Sequence, residues 1–308
     1  MTSLDYDRRG SGPPLLLIHG IGSRWQVWTP ILDLLSAHRD VIAVDLPGFG
    51  ASPLWPPPTA GKDAAHPDTA HPDEAKPAKA QPDNGHPGTA HGDAAENRTV
   101  PGSVPHLADL VESFLDSLGL DTVDVGGSSM GGGIALELGR RGRAHAVTAF
   151  SPVGFWPVGG GRWGRFVVGA AHAGSTALAS SLPRLMATRA GRTALCAVFY
   201  AHPGSLDPAD CLADARALAG APGFRSSRSA FRHLTPWSSV DPGALSRIPV
   251  TIAWGTRDVV LPYRNQALRT RTVLPAARHV PLPGCGHLPF PDAPRRCADL
   301  LLHPAGLR

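Results

Sequence analysis

A serine, an aspartate and a histidine in this sequence have the types and the chain order needed for nucleophilic attack on a carbonyl group. Ser129 stands at the centre of 127–131, which reads Gly-Ser-Ser-Met-Gly, and Asp258 and His287 follow later short apolar runs. A serine hydroxyl is a weak nucleophile until a base takes its proton. The base in turn needs a third group that fixes its tautomer and stabilises its cation. This chemistry requires that the fold bring the three side chains together.

The serine lies between a strand pattern and a helix pattern. The apolar run 123–125 leads into Gly127, and helical spacing resumes at 134–138 after Gly131. A sharp strand-to-helix turn forces unusual backbone angles on Ser129 and crowds its neighbours, which favours glycine two residues before and after it. The hydroxyl then meets backbone N–H groups at a helix start, where an oxyanion is stabilised. Taken alone, the pentapeptide also fits a tight turn with a serine cap.

Two earlier apolar runs predict buried strands that end in glycine-containing loops. The first covers 15–18 and is followed by the loop 19–23, and the second covers 41–44 and is followed by 45–50. Helical patterns separate the strands, and this alternation predicts a parallel sheet covered on both faces. Active sites in such sheets lie beyond the carboxyl ends of the strands. We therefore expect these loops and Ser129 to share one edge.

Later strands place the other two candidates at the same edge. Asp258 follows a strand at 249–254, and His287 lies in a glycine-flanked loop after the last strand, 278–282. His19, by contrast, is expected to hold the loop beside the serine by hydrogen bonding. Further patterns predict a strand at 146–150 and helices at 103–118, 262–274 and 292–302.

Residues 153–240 interrupt the alternation of strands and helices and predict a helical cap. Placed after a strand's carboxyl end, this segment would cover the serine. Its aromatic residues, of which we select Phe155, Trp156 and Trp237, are candidates for an apolar substrate pocket. The alternative is that they only pack the cap on the core, which we assign to 1–152 and 241–308.

The segment 55–101 has a different composition from the rest of the chain. A loose pentapeptide repeat rich in alanine, histidine, proline and aspartate begins at residue 65 and contains no large apolar residue. Such a segment buries too little surface to offset its ordering entropy, so we expect a disordered insert within the core. Its histidines have metal-binding chemistry in principle, but the prolines beside them favour a solvated repeat.

The remaining properties of the chain exclude several function classes. The net charge is +4, and no basic run is interleaved with aromatic residues, which argues against a nucleic-acid surface. No apolar window is long enough for a membrane span, and the amino terminus lacks a signal-peptide pattern. Four scattered cysteines without a C-x-x-C spacing suggest free thiols in a cytoplasmic protein. Neither a metal nor a cofactor is implied, and nothing indicates the oligomeric state.

Together these motifs resemble the α/β-hydrolase superfamily. The chain has the order Ser, Asp, His, a G-x-S-x-G elbow, a His-Gly loop after an early strand, and a D-x-P-G-x-G turn like that of the lidded members. The resemblance implies a doubly wound, mostly parallel sheet with a helical cap inserted between late strands. It also implies Ser129 as nucleophile, His287 as base and Asp258 as its orienter, with the backbone N–H groups of Ile21 and Met130 as the oxyanion hole. His19, Gly20, Gly127 and Gly131 would shape this site.

One departure from the family concerns the start of the chain. Members usually have two antiparallel strands before the His-Gly loop, and only eighteen residues precede it here. We therefore expect the first strand to be absent, which leaves a sheet edge to be protected in another way.

A serine nucleophile narrows the reaction on a small-molecule substrate without fixing it. It excludes close analogy to the superfamily's epoxide hydrolases and haloalkane dehalogenases, which use aspartate at this position. We expect hydrolysis of a small or medium apolar ester or thioester through an acyl-enzyme. Carbon–carbon bond hydrolysis of vinylogous diketones and cofactor-free perhydrolysis are alternatives. A non-catalytic binding protein on the same fold is a further alternative, which the complete triad argues against.

Overall fold

We describe the protein from a computed structural model, which covers residues 4–55, 100–157 and 160–306. Most of the insert predicted at 55–101, including its repeat and histidines, lies outside these residues. Trp55, at its amino-terminal boundary, is buried in the main core, and its ring packs edge-on against His106 with centroids 5.3 Å apart.

The described residues contain one seven-stranded sheet, as the alternation of strand and helix patterns predicts. The strands lie in the order β1-β3-β2-β4-β5-β6-β7, and all neighbours are parallel except β1 and β3. The strands are β1 (Tyr6–Arg9), β2 (Pro14–Ile18), β3 (Asp40–Val44), β4 (Val123–Ser128), β5 (Ala144–Phe150), β6 (Val250–Gly255) and β7 (Arg278–Leu282).

Helices occupy the connections between the strands. The helical connection between β2 and β3 is divided, because a 3-10 turn at Trp25–Trp28 precedes the α-helical part. The α-helices are α1 (Thr29–Ser36), α2 (Val104–Ser117), α3 (Met130–Arg140), α4 (Arg162–Ala177), α5 (Leu182–Ala187), α6 (Arg189–Cys196), α7 (Pro208–Gly220), α8 (Phe224–Ala230), α9 (Tyr263–Val273) and α10 (Pro294–Leu302).

Both faces of the sheet are buried, which explains why its strands are apolar at consecutive positions. Side chains alternate between the faces of a strand. In β2, Leu16 and Ile18 pack in the cluster that includes helices α2 and α3, whereas Leu15 and Leu17 pack in the cluster that includes α1 and α10. All four are at most 1% exposed. The parallel sheet is thus fixed by apolar burial on two sides.

Among the described residues, the strand that precedes β2 is β1, which pairs antiparallel with β3. β1 forms an edge of the sheet and carries Asp7, Arg8 and Arg9. Arg8 donates two hydrogen bonds, of 2.9 and 2.7 Å, to the carboxylate of Asp40 on β3. Charged side chains on a short edge strand oppose pairing with another chain.

Five α-helices, α4 to α8, lie between the end of β5 and the start of β6 together with short 3-10 turns, and the described part of this connection has no strand. The connection begins at the edge of the sheet where Ser129 lies. Within the described residues, no helix combines the length and the apolar character that crossing a membrane requires. The division into a core and a separate cap domain stays a prediction.

Candidate active site

Ser129 lies between β4 and α3 in a backbone conformation that few non-glycine residues adopt. Its φ is 56° and its ψ is −114°. Its N–H donates to the carbonyl of Phe150 at 2.9 Å, and its own carbonyl accepts the N–H groups of Gly133 and Val153, both at 3.1 Å. Backbone strain of this kind persists only where surrounding structure holds it in place. Here the end of β5 and the first turn of α3 do so.

Glycine is required around the serine because main-chain atoms approach too closely for a side chain. A Cβ atom at Gly127 would lie 2.1 Å from the carbonyl oxygen of Gly131, and one at Gly131 would lie 2.1 Å from that of Ile18. A Cβ atom at Gly20 would come within 3.0 Å of the Ser129 Cβ. The absence of side chains at Gly20 and Gly131 thus lets the His-Gly loop pack directly against Ser129 and its turn.

His19 is buried and fixes this loop through both ring nitrogens. Its Nε2 accepts the backbone N–H of Leu46 at 2.9 Å, so Nδ1 carries the proton and donates to the carbonyl of Gly20 at 2.7 Å. Burial lowers the pKa of His19 below its ordinary value, although the nearby Asp45 carboxylate opposes this effect. The ring is therefore neutral near pH 7 and serves as a structural linker.

The bond from His19 also orients the next amide. In a trans peptide the carbonyl and the following N–H point in opposite directions. Because the Gly20 carbonyl is held by His19, the N–H of Ile21 points away from that ring. Among the hydrogen bonds of the described residues, none uses the N–H of Ile21 or that of Met130, the first residue of α3. Both N–H groups therefore remain available as hydrogen-bond donors.

Asp258 and His287 form a buried pair. His287 Nδ1 lies 2.8 Å from Asp258 Oδ2, and the residues are 3% and 4% exposed. The other carboxylate oxygen, Oδ1, accepts the N–H groups of Val260 and Leu261 at 2.9 and 2.8 Å. Both oxygens of Asp258 are thus engaged, and the free nitrogen of the His287 ring is Nε2.

The loop that carries His287 is held by Asp292, a residue that no sequence motif singles out. The Asp292 carboxylate accepts the N–H groups of Gly286 at 3.0 Å and Ala201 at 3.3 Å. Leu288 adds a bond from its N–H to the carbonyl of Phe199 at 2.9 Å. The loop is therefore tied to the chain between α6 and α7, a contact for which the sequence carries no local signal.

The turn that holds Asp258 reaches the serine. Val260 and Leu261 line a small cleft together with Ser129, Ile21 and Trp156. Its volume is about 10 Å³, space for about one water molecule. No hydrogen bond joins the Ser129 hydroxyl to the His287 ring among the described residues. Catalytic hydrogen bonds in ligand-free enzymes are often long and shorten only when substrate binds.

A much larger cavity of about 360 Å³ adjoins this cleft. Ile21 lines both spaces, and Leu288, next to His287, lines the large one. The cavity walls are mostly apolar and come from helices α4, α6 and α7, with Phe166, Leu195 and Leu218 among the lining residues.

The three aromatic residues selected for the substrate pocket lie in different surroundings. Trp156 lines the cleft at Ser129. Phe155 and Trp237 line neither of the two spaces, and their rings stack at 6.3 Å within the main core. The candidate pocket walls are therefore the helices that follow Trp156 along the chain.

The described residues also contain no cluster of three or more histidine, cysteine or acidic side chains arranged to hold a metal ion.

The sheet, the strained serine turn and the buried carboxylate–histidine pair together define an α/β hydrolase. A family model described as the alpha/beta hydrolase fold matches residues 13–152. Epoxide hydrolase EphH of Mycobacterium tuberculosis is 32% identical over 203 residues, which cover 63% of this chain and 91% of that protein. The chain belongs to the α/β-hydrolase superfamily and is a hydrolase by family.

Solved structures share the fold over nearly the whole chain. A thermophilic esterase from Thermogutta terrifontis superposes with a TM-score of 0.64 at 18% identity and covers 97% of this chain and 91% of its own. A meta-cleavage product hydrolase from Pseudomonas fluorescens gives a TM-score of 0.58 at 18% identity, covering 98% and 93%. At these identities the similarity shows the fold alone.

Proposed function

We propose that this protein is a serine hydrolase that cleaves an ester, or thioester, of an apolar carboxylic acid through an acyl-enzyme. The observation that carries the proposal is the buried 2.8 Å contact between Asp258 and His287. The turn that follows Asp258 lines the same cleft as Ser129 through Val260 and Leu261. A neutral histidine held by a carboxylate at Nδ1 presents Nε2 as a base.

In the proposed reaction the Ser129 oxygen attacks the substrate carbonyl while its proton passes to His287 Nε2. Asp258 stabilises the resulting imidazolium, which then protonates the departing alcohol or thiol. Water, deprotonated by His287, then attacks the acyl-enzyme, and the imidazolium passes this proton to the Ser129 oxygen as its bond to the acyl group breaks and the acid leaves. The free N–H groups of Ile21 and Met130 would donate hydrogen bonds to the carbonyl oxygen, which develops negative charge in both steps.

The large cavity supports an apolar acyl group as the part of the substrate that is recognised. Its volume of about 360 Å³ lies within the range of small-molecule pockets, and its walls are mostly apolar. Because Ile21 belongs to both spaces, a carbonyl placed at the oxyanion donors can extend its chain into the cavity. Each buried methylene contributes about 0.8 kcal/mol, or about fourfold in kcat/KM.

The similarity to EphH makes epoxide hydrolysis the second candidate. A carboxylate that opens an epoxide forms an ester, which water can cleave at its carbonyl. A serine that opened the same ring would form a β-hydroxyalkyl ether with no carbonyl for water to attack. The serine at position 129 therefore favours acyl chemistry. Conversion of a terminal epoxide to its diol at a rate matching ester hydrolysis would favour the second candidate instead.

An alkyl fluorophosphonate tests the nucleophile directly, because it phosphonylates an activated serine. We expect one adduct on Ser129 of the folded protein and none in Ser129→Ala. Ser128→Ala is the matched control, since the Ser128 hydroxyl is fully buried and has no hydrogen-bond partner in the described part of the chain. That variant should label at the wild-type rate. A folded wild-type protein that takes no adduct at Ser129 would refute the proposal.

A further inference from the structure

The small cleft at Ser129 contains a cationic side chain that has no acidic partner. Arg165, near the start of α4, lines this cleft together with Ser129 but does not line the large cavity. Its Nε is buried and has no hydrogen-bond partner in the described part of the chain. The ion pairs found there do not include Arg165 either. A buried cationic N–H group without a partner is costly, so this position favours an anionic ligand.

A second arginine lies beside Arg165. The Nε of Arg228, on α8, donates to the carbonyl oxygen of Arg165 at 2.9 Å. A Cβ atom at Gly169 of α4 would lie 2.6 Å from the same Nε, so this glycine leaves the space that the guanidinium occupies. The rings of His172 on α4 and Phe224 on α8 stack with centroids 4.2 Å apart, which adds a second contact between the helices. Packing therefore holds the two arginines together.

The surrounding chain offers these arginines no acidic side chain. It contains neither aspartate nor glutamate from 153 to 206 or from 215 to 240, stretches that include the whole of α4 and α8. Over the full sequence, by contrast, 29 lysines and arginines are nearly matched by 25 acidic residues. Positive charge is therefore concentrated in this part of the cap. A cleft lined by one sign of charge attracts ligands of the opposite sign.

The neighbouring arginines also act on Arg165 electrostatically. Burial lowers the pKa of Arg165, and the positive charges of Arg232, Arg228 and Arg162 lower it further. Arg162 precedes Arg165 by three positions on α4, and Arg232 follows Arg228 by four, so each pair projects from one side of its helix or helix end. An anion bound among them would relieve this repulsion.

We propose that Arg165, with Arg228 beside it, binds a phosphate or carboxylate group on the alcohol or thiol part of the ester substrate. The inference rests on the proposed function, because it describes the other half of the same substrate. The acyl chain is assigned to the large cavity, whereas Arg165 lines only the cleft at Ser129. The anion therefore belongs to the leaving group. A guanidinium suits this role, since its planar set of donors matches the oxygens of both anions.

Matched thioesters with short leaving groups test the proposal, because Arg165 and Ser129 line the same small cleft. One pair is the octanoyl thioester of 3-mercaptopropionate and that of its methyl ester. The other is the octanoyl thioester of 2-mercaptoethyl phosphate and that of 2-mercaptoethanol. Within each pair the acyl group is the same and only the charge differs. We expect kcat/KM to be about tenfold higher for the charged member. A preference in one pair alone would identify which anion is bound.

Variants then assign the preference to Arg165. In Arg165→Gln the ratio of kcat/KM between charged and neutral members should fall to about one, since the charged hydrogen bond is lost. Arg165→Lys, which keeps the charge but not the planar fork, should retain part of the preference. Arg184→Gln is the matched control, because Arg184 is an exposed cap arginine on α5 that lines neither space. It should keep the wild-type ratio.

Two results would overturn the anion site. One is wild-type protein that hydrolyses both members of each pair equally well. The other is an Arg165→Gln variant that keeps the wild-type ratio. Fluorophosphonate labelling of Ser129 in the same preparations separates these results from failure of the proposed function, in which Ser129 takes no label and no thioester is cleaved. It also reports whether Arg165→Gln has folded, and the wild-type ratios decide by themselves if it has not.

Discussion

Asp258 lies 2.8 Å from His287 through one carboxylate oxygen and uses the other to accept two backbone N–H groups. The two residues are 29 positions apart in the chain and come from the ends of adjacent strands, β6 and β7. Because the second oxygen is fixed by the main chain, the carboxylate cannot rotate away from the ring. The pair is therefore rigid before any substrate arrives.

Asp258→Asn should lower kcat by about 10³- to 10⁴-fold while the protein stays folded. The amide oxygen can still accept the N–H groups of Val260 and Leu261, which turns the NH₂ group toward His287. The ring then takes the wrong tautomer and carries its proton on Nε2. Steady-state hydrolysis of a p-nitrophenyl ester measures the effect. Asp241→Asn, at an exposed turn, is the control, and an equal loss in both variants would contradict the proposed role.

The neutral state of His19 predicts how stability depends on pH. Its pKa in the folded protein lies below the ordinary value of 6.5, so the unfolded chain binds more protons as the pH falls through and below 6.5. The free energy of unfolding should therefore decrease on acidification. His19→Gln should be less stable at pH 8 by about 1–3 kcal/mol, since it cannot keep both buried hydrogen bonds.

The same variant should also lose less stability between pH 8 and pH 5 than the wild type. Urea unfolding at both pH values measures the difference. The slope will not vanish, because burial also lowers the pKa of His106 and His279. An unchanged slope in His19→Gln would show that His19 does not contribute to it.

Two helical glycines should respond in opposite directions to alanine. In Gly131→Ala the new Cβ would meet main-chain oxygens at 2.1 and 2.4 Å, so we expect a loss of about 1–3 kcal/mol or more. At Gly174 in α4 nothing lies within 4 Å, and Gly174→Ala should gain about 0.5–1 kcal/mol. Thermal unfolding compares them, and similar shifts in both would contradict the close approach at the serine turn.

Narrowing the large cavity should change the preference for acyl length. Ala171 lines the cavity from α4, and Ala171→Leu should reduce kcat/KM for a p-nitrophenyl octanoate by about tenfold through lost methylene burial. Hydrolysis of the acetate should be unaffected. The control is Ala177→Leu, an exposed position at the end of the same helix. A parallel loss for acetate and octanoate in Ala171→Leu would place the acyl group elsewhere.

The sequence alone predicted the sheet and the edge where the candidate site lies. Runs such as 15–18 and 123–125 are apolar at consecutive positions. This pattern is typical of strands that are buried on both faces of a sheet. Parallel connectivity then puts every following loop at one edge, so Ser129, Asp258 and His287 could be assigned to one region from their positions after strands. The sequence also predicted why Gly127 and Gly131 flank Ser129, because the main chain approaches too closely there for any residue with a side chain.

Only the tertiary structure decided which surfaces meet beyond that edge. The large cavity and the hydrogen bonds that Asp292 accepts from Gly286 and Ala201 both depend on how helices α4 to α7 pack over the sheet. Helix packing is set by side-chain fit between elements far apart in the chain, and no local periodicity encodes it. For that reason Phe155 and Trp237 were selected for the pocket by aromatic character, whereas the structure places them in the core.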